Sequence, residues 1–391
     1  MEGGININIV DLFCGCGGMS LGFQEAGFNI LAGFEHWNTA ISCYKKNFSH
    51  PVEDVDLSDI DLSVKSIMKY NPEIIIGGPP CQDFSGAGNR IEGDRADLTV
   101  AYAKIIQKIS PQYFVMENVE RAASSKAYKK ARNIFKEAGY GLTEKILDAS
   151  FCGVPQKRKR FFCIGYKNGQ DSFLDSLLST NQSVFPLTVR EYFKQEDYNL
   201  STEYYYRHPR SYKRRGIFSV DEPSPTIRGV NRPKPGNYKK HSGDMVEPDG
   251  VRNLTALERS LIQTFPQNFV WDDSSASTEQ MIGNAVPVKL ANYVATCLMR
   301  FIQGDTDLHN LRFIDWLKKE KNLSAEVAGD TLSRIGRAKR ILDFENNSEC
   351  EIYLNNLNEE NLFKNIVPSV RAQIRRAVRL YFEYVSDQTE V

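Results

Sequence analysis

The first 166 residues predict an α/β fold with a doubly wound, mainly parallel sheet, and three observations carry that prediction. Short apolar runs of strand length recur at residues 5–13, 29–34, 74–76, 113–119 and 161–166. Stretches of helical character at 58–70, 98–109 and 124–138 separate the later ones; Leu98, Ala101, Tyr102, Ile105, Ile106 and Ile109 fall on one stripe. Glycines or a carboxylate mark the carboxyl end of several strands, the edge where ligands bind in open sheets of this kind.

Residues 5–13 read as the first strand, Cys14-Gly-Cys-Gly-Gly18 as a tight loop, and Met19 to Ala26 as a helix. Glycines there let backbone amides approach a ligand, and the helix amino terminus favours a negative group. The spacing of Gly15, Gly17 and Gly18 differs from the GxGxxG of dinucleotide sites. The second strand ends at Glu35, some twenty positions after the loop, where a carboxylate can accept both ribose hydroxyls; capping the following helix is the other role open to it. Asp56, near the end of a short third strand, is placed to hold an adenine amino group.

Ile74 to Ile76 suit a strand covered on both faces, and Gly77-Gly78-Pro79-Pro80 ends it abruptly, leaving Cys81 at the ligand-binding edge. A small buried cysteine in a turn is the plainer reading of Cys81. The strand 113–119 carries Glu117 near its end, and burying that acid is costly unless an arginine pairs with it or it takes part in proton transfer. Ahead of the strand Phe161–Tyr166, Arg158 and Arg160 alternate, so one strand face carries both.

The alternation stops at residue 166. Residues 167–275 are short aromatic, proline-rich and basic pieces, as expected of a small irregular or β-rich region. Between 204 and 240 lie ten basic residues against only Asp221 and Glu222, interleaved with Tyr204, Tyr205, Tyr206, Tyr212 and Tyr238, a pattern that favours nucleic acid over a merely solvated face. Residues 253–264 predict a helix, and Gly283-Asn-Ala-Val-Pro287 precedes another at 288–302 that returns to the first domain. Beyond Gly304, Phe313, Trp316, Leu317, Val370, Ile374, Val378, Tyr381 and Val385 fall on helical stripes, so 305–391 reads as a small bundle.

The chain of 391 residues has zero formal net charge, which argues against nonspecific coating of nucleic acid. Its eight cysteines lack paired CxxC spacing, so neither a disulfide framework nor zinc is expected. No basic leader precedes the first strand, no apolar run approaches a membrane span, and a cytoplasmic location is expected.

Five motifs in order then resemble the DNA cytosine-5 methyltransferases of bacterial restriction-modification systems. They are Asp11-Leu-Phe-x-Gly-x-Gly-Gly18, Gly78-Pro-Pro-Cys-Gln-x-Phe-Ser85, Glu117-Asn-Val119, Gln156-x-Arg-x-Arg160 and Gly283-Asn-x-Val-Pro287. The resemblance covers about residues 5–302. It implies a class I, Rossmann-like methyltransferase domain at 1–166 and 256–303 and a target-recognition domain at 167–255; the helical extension expected at 304–391 lies outside it. His36 is a departure, since relatives often place an aromatic or hydrophobic side chain there against the cofactor adenine; an imidazole can still stack.

The resemblance implies S-adenosylmethionine as methyl donor, without a metal. Phe13 would lie against the adenine with His36, Glu35 on the ribose, Asp56 near the adenine, and Gly15, Gly17 and Gly18 about the methionine part. Asp11, Leu57, Gly78, Pro80 and Leu98 would line the same pocket, and Asn284 and Ala285 would complete it. Cys81 would add to cytosine carbon 6, Glu117 would bond N3, and Arg158 and Arg160 would steady the base carbonyl or Glu117. The partner implied is double-stranded DNA with the target base flipped out, contacted by Gln82, Ser85, Arg207, Arg210, Lys213, Arg214, Arg215, Arg228 and Arg232. Residues 82–97 would close over that base. The enzyme is expected to be monomeric, with a restriction endonuclease acting on the same site without required contact. Two alternatives stay open: a tRNA cytosine-5 methyltransferase of the same fold, and a catalytically silent DNA-binding regulator.

Overall fold

The computed structural model describes residues 7–80, 98–211, 213–271, 275–305, 308–344 and 349–389. Cys81, Gln82, Ser85 and the expected closing segment 82–97 therefore lie outside the described residues, as does Tyr212. Two compact units are distinguished: residues 1–172 with 186–296, and residues 173–185 with 297–391.

The first unit is built on β1 (Asn8–Leu12), α1 (Gly18–Glu25), β2 (Asn29–Glu35), α2 (Asn38–Asn47), β3 (Val52–Asp54), α3 (Ile60–Ile67), β4 (Ile74–Gly77), α4 (Leu98–Ile109), β5 (Tyr113–Val119), α5 (Lys126–Glu137), β6 (Tyr140–Asp148), β7 (Gln156–Lys157) and β8 (Lys159–Lys167). Seven strands form one sheet in the order β3-β2-β1-β4-β5-β8-β6. The five from β3 to β5 are parallel, and β8 pairs antiparallel with both β5 and β6. This is the doubly wound, mainly parallel sheet that the sequence predicts. Apolar runs form the inner strands because both faces are covered: Ile74, Ile75 and Ile76 are fully buried, as are Phe114, Val115 and Met116. Leu12, Ile75, Tyr102, Phe114, Met116, Phe135 and Phe161 share one cluster.

Chain order reverses between neighbouring strands β1 and β4, with β2 and β3 on one side and β5 on the other. Connections leaving the carboxyl ends of β1 and β4 therefore diverge and open a crevice. Strand β6 was not expected from the sequence. Its residues Glu144, Lys145 and Ile146 alternate in exposure at the sheet edge, so it lacks the apolar run by which the inner strands are read.

Residues 167–255 contribute α6 (Asp175–Thr180), α7 (Val189–Gln195), β9 (Tyr204–Tyr206), β10 (Ile217–Ser219), β11 (Ser224–Pro225) and β12 (Arg252–Asn253). Strands β10, β9 and β12 form a small sheet, and β11 pairs with β7. Of these elements α6 belongs to the second unit. Then follow α8 (Ala256–Ile262), α9 (Ser275–Asn284) and α10 (Val288–Ile302). The stretch Ala276–Ile302 is long and apolar enough to cross a membrane by length and composition alone, and half of its most apolar window is buried inside the fold.

The second unit holds α11 (Leu308–Lys319), α12 (Ala325–Ile341), α13 (Cys350–Glu359), α14 (Asn361–Lys364) and α15 (Pro368–Thr389). The predicted stripes are its core: Phe313, Trp316, Leu317, Ile374, Val378 and Tyr381 share one cluster. Trp316 Nε1 donates to Asp387 at 2.9 Å.

Candidate active site

A cleft of about 1430 Å³ opens within the first unit and is lined from the ends of β1, β2, β4 and β5, from residues 157–160, from the basic segment and from 281–286. The glycine loop enters it first. Phe13 leaves β1 in the left-handed region at φ 56°, uncommon for a bulky side chain and hence a sign that the local fold enforces it. Gly17, the N-cap of α1, has φ 97°, which a residue with a side chain rarely adopts. Glu35 organises this loop from β2. Its Oε2 accepts from the Gly15 amide at 2.9 Å, and its Oε1 from the His36 and Trp37 amides at 2.8 and 3.0 Å. The first helical residue after Trp37 is Asn38, so Glu35 also serves the α2 amino terminus. Its two roles are compatible, because each carboxylate oxygen offers two lone pairs.

Asp11 is fully buried at the end of β1. Its Oδ2 accepts from Ser20 Oγ at 2.6 Å, Ser20 Oγ lies 2.7 Å from Tyr44 Oη, and Tyr44 Oη lies 2.7 Å from His50 Nε2. Burial pushes the Asp11 carboxyl up to about 7 against the pull of Ser20, and Glu35 adds to the rise. Asp11 Oδ1 has no hydrogen-bond partner among the described residues. A buried acceptor beside a cleft, left unmatched, suits a cationic or hydrogen-bond-donating ligand group.

At the neighbouring edge, β4 ends at Gly77, and the Asn118 side chain ties the turn down by donating to the Pro79 carbonyl at 3.1 Å. Gly78, Pro79 and Pro80 line the cleft up to the position before Cys81. Glu117, 7% exposed, reaches the same place: a Cβ on Gly78 would stand 3.4 Å from its Oε2. Arg160 Nε lies 2.9 Å from Glu117 Oε1 as an ion pair, at an angle that leaves Oε1 short of a proper hydrogen bond. Burial raises the Glu117 carboxyl, and Arg160 and then Arg158 partly offset it.

Arg158 acts on Glu117 through its charge, while its hydrogen bonds go elsewhere. It is 1% exposed, with Nη1 donating to the Ile227 carbonyl at 2.9 Å and Nη2 to the Gly283 and Ala285 carbonyls at 3.0 Å each. The alternating pattern puts both arginines at the cleft, yet only Arg160 makes an ion pair with Glu117.

The other expected residues divide. Asp11, Phe13, Gly15, Gly18, Glu35, Gly78, Pro80, Asn284 and Ala285 line the cleft; Gly17, His36, Asp56, Leu57 and Leu98 do not. The exposed His36 ring bonds Asp54 at 2.7 Å, which raises its pKa, and it is Trp37 that lines the cleft. Asp56 accepts from the Ser58 amide at 2.9 Å, and the Ser58 side chain and then that amide hold its carboxyl low. Trp37 was missed in the sequence, although an aromatic two places after the strand's closing carboxylate was the available signal.

Arg207, Arg210, Arg214, Arg215 and Arg228 also line the cleft, whereas Lys213 and Arg232 do not. Several serve the fold. Arg207 donates to Thr226 O at 2.7 Å and is lowered to about 10 by burial; Arg215 pairs with Glu222 and lies over the Phe218 ring; Arg228 donates to the His208 carbonyl. Arg210 and Arg214 are exposed. Tyr205 and Tyr206 are buried, and Tyr238 packs edge-on against Tyr206 while donating to Asp244 at 2.8 Å. Tyr205 shares a core cluster with Tyr192, Phe193, Phe218 and Leu254.

A family described as C-5 cytosine-specific DNA methylase matches residues 7–300. The chain is 53% identical over 294 residues to the Type II methyltransferase M.HgiDI of Herpetosiphon aurantiacus, covering 75% of this chain and 94% of that one. To the Type II methyltransferase M.HindV of Haemophilus influenzae it is 55% identical over 295 residues, covering 75% and 96%. Among solved structures, the S. pombe Dnmt2 methyltransferase shares the fold with a TM-score of 0.57 at 18% identity, covering 76% of this chain and 99% of that one.

Proposed function

Because the chain belongs to the C-5 cytosine-specific DNA methylases, we propose that it is the modification enzyme of a type II restriction-modification system, acting through Cys81 on a cytosine flipped out of duplex DNA. The observation that carries this reading is the meeting of the β4 and β5 ends: Glu117, paired with Arg160, lies against Gly78 in the cleft that also holds the glycine loop and Glu35.

The residues present fit S-adenosylmethionine. Asp11 Oδ1 is an unmatched buried acceptor, Glu35 keeps lone pairs free after accepting three amides, and Phe13 and Trp37 offer aromatic faces. Asp11 and the glycine loop would hold the methionine part, Glu35 the ribose and Trp37 the adenine, with Asn284 and Ala285 closing the far side. When bound, this group supplies an electrophilic methyl.

Carbon 5 of cytosine is a poor nucleophile. Addition of the Cys81 thiolate to carbon 6 turns the C5–C6 edge into an electron-rich enamine that can take the methyl group. Loss of the carbon 5 proton to a base then expels Cys81. Only about 3% of an ordinary thiol is ionised at neutral pH, so a nearby helix amino terminus or arginine would assist. Glu117, whose carboxyl is raised by burial, would bond cytosine N3 in its protonated form or with its proton shared, and so offset charge arising on the ring. The exposed Arg210 and Arg214 would contact backbone phosphates. The division at 1–166 with 256–303, 167–255 and 304–391 is kept as a functional proposal, and a monomer in the bacterial cytoplasm is part of the same reading. Offering duplex DNA and tRNA side by side with labelled methyl donor tests it: transfer to the duplex supports it, and transfer to tRNA alone overturns it.

A further inference from the structure

The guanidinium of Arg158 reaches two segments far apart in the chain. Three of its hydrogen bonds end on main-chain carbonyls, Ile227 on one side and Gly283 and Ala285 on the other. The same two segments are tied by Gln156, whose Oε1 accepts from the Ile227 amide at 2.8 Å and whose Nε2 donates to Gln263 at 2.8 Å; Gln263 in turn donates to the Ala285 carbonyl at 3.2 Å. Between them there is no slack. A Cβ on Gly283 would come within 2.0 Å of the Gly229 amide nitrogen, so the two backbones are in direct contact.

Each clamped segment presents a side chain to the cleft. Asn284, between the two clamped carbonyls Gly283 and Ala285, is exposed there, and Arg228 follows Ile227. At 1% exposure the guanidinium places three of its N–H groups on main-chain carbonyls, and its Nε has no hydrogen-bond partner among the described residues. We propose that Arg158 is a positioning residue that locks the cofactor-side loop 283–285 to the DNA-side segment 226–229, so that binding of either ligand orders the site of the other. The proposal rests on the reading of the cleft given above. Its energetic consequence is reciprocal: duplex DNA tightens cofactor binding by the factor by which cofactor tightens DNA binding.

Lysine keeps the charge but not the planar fork, so Arg158→Lys loses at least one of the three bonds. Affinity for S-adenosylhomocysteine is measured with and without duplex DNA carrying the methylated site, together with steady-state methyl transfer. In Arg158→Lys the factor by which DNA tightens S-adenosylhomocysteine binding falls toward one, and KM rises about 10- to 100-fold for both donor and DNA, with kcat nearly kept. A wild-type coupling factor, a rise confined to one substrate, or a loss confined to kcat overturns the proposal. Gly229→Ala supplies a second variant should the lysine protein fail to fold. Its Cβ would stand 3.2 Å from Gln280 Cα, a mild displacement of the same junction, and the same loss of coupling is expected in smaller degree. Binding is read without turnover, so failure of the coupling is distinct from failure of the wild-type enzyme to methylate DNA.

Discussion

Arg160 Nε and Glu117 Oε1 stand 2.9 Å apart on adjacent antiparallel strands, β8 and β5, both largely out of solvent. The pair is set against itself: burial pushes a proton onto Glu117, and the guanidinium pulls it off. A carboxyl balanced in this way is suited to sharing a proton with a ring nitrogen.

Glu117→Gln is expected to lower kcat by about 10²- to 10⁴-fold while leaving DNA binding largely intact. The sign of the pH dependence follows from the protonated form being the active one. Methyl transfer falls as pH rises through the raised pKa of Glu117. Replacing Arg160 by methionine removes a lowering influence and moves that limb to higher pH. Rate profiles from pH 5 to 9 check both, and a limb that stays in place in Arg160→Met contradicts the assignment.

Asp11 gives a stability prediction. Its folded carboxyl sits at about 7, above the ordinary value of 3.8, so its contribution is full below about pH 4 and is lost as pH rises to 7. Without ligand, Asp11→Asn is therefore expected to melt progressively higher than wild type between pH 5 and 8. S-adenosylhomocysteine should narrow that gap by stabilising wild type more. Melting curves across this range with and without the ligand decide it, and a gap independent of pH would show that Asp11 is not a charge at the cleft.

Trp37 and His36 are adjacent but face different surroundings. Trp37→Ala is expected to weaken S-adenosylhomocysteine by about 10- to 100-fold, as loss of an aromatic contact does. His36→Ala should leave it within about threefold, since its ring serves Asp54 at the surface. Titration calorimetry on the two variants separates them.

The parallel sheet was legible because its strands are buried on both faces and so are written as apolar runs; β6, half exposed at the edge, was not. Glu35 and the glycine loop were legible because strand ends punctuate the chain. The hydrogen-bond partners of Arg158 were not legible because spacing tells which face a residue takes and not what lies across from it; they are carbonyls 69 to 127 positions away. The burial of Tyr205 and Tyr206 was not legible for a related reason. Aromatic residues in a basic segment look alike whether they stack on a base or fill a small core, and here Tyr205 and Tyr206 fill one.

The most direct test of the account is transfer of labelled methyl from S-adenosylmethionine to mixed duplex DNA by wild-type and Cys81→Ser protein, followed by bisulfite sequencing of the product. The account predicts protected cytosines in one short recurring context with wild type and none with Cys81→Ser, although the variant still binds the duplex. Undiminished protection by Cys81→Ser would remove Cys81 as the nucleophile, and methyl transfer without protected cytosines would contradict carbon 5 as its target.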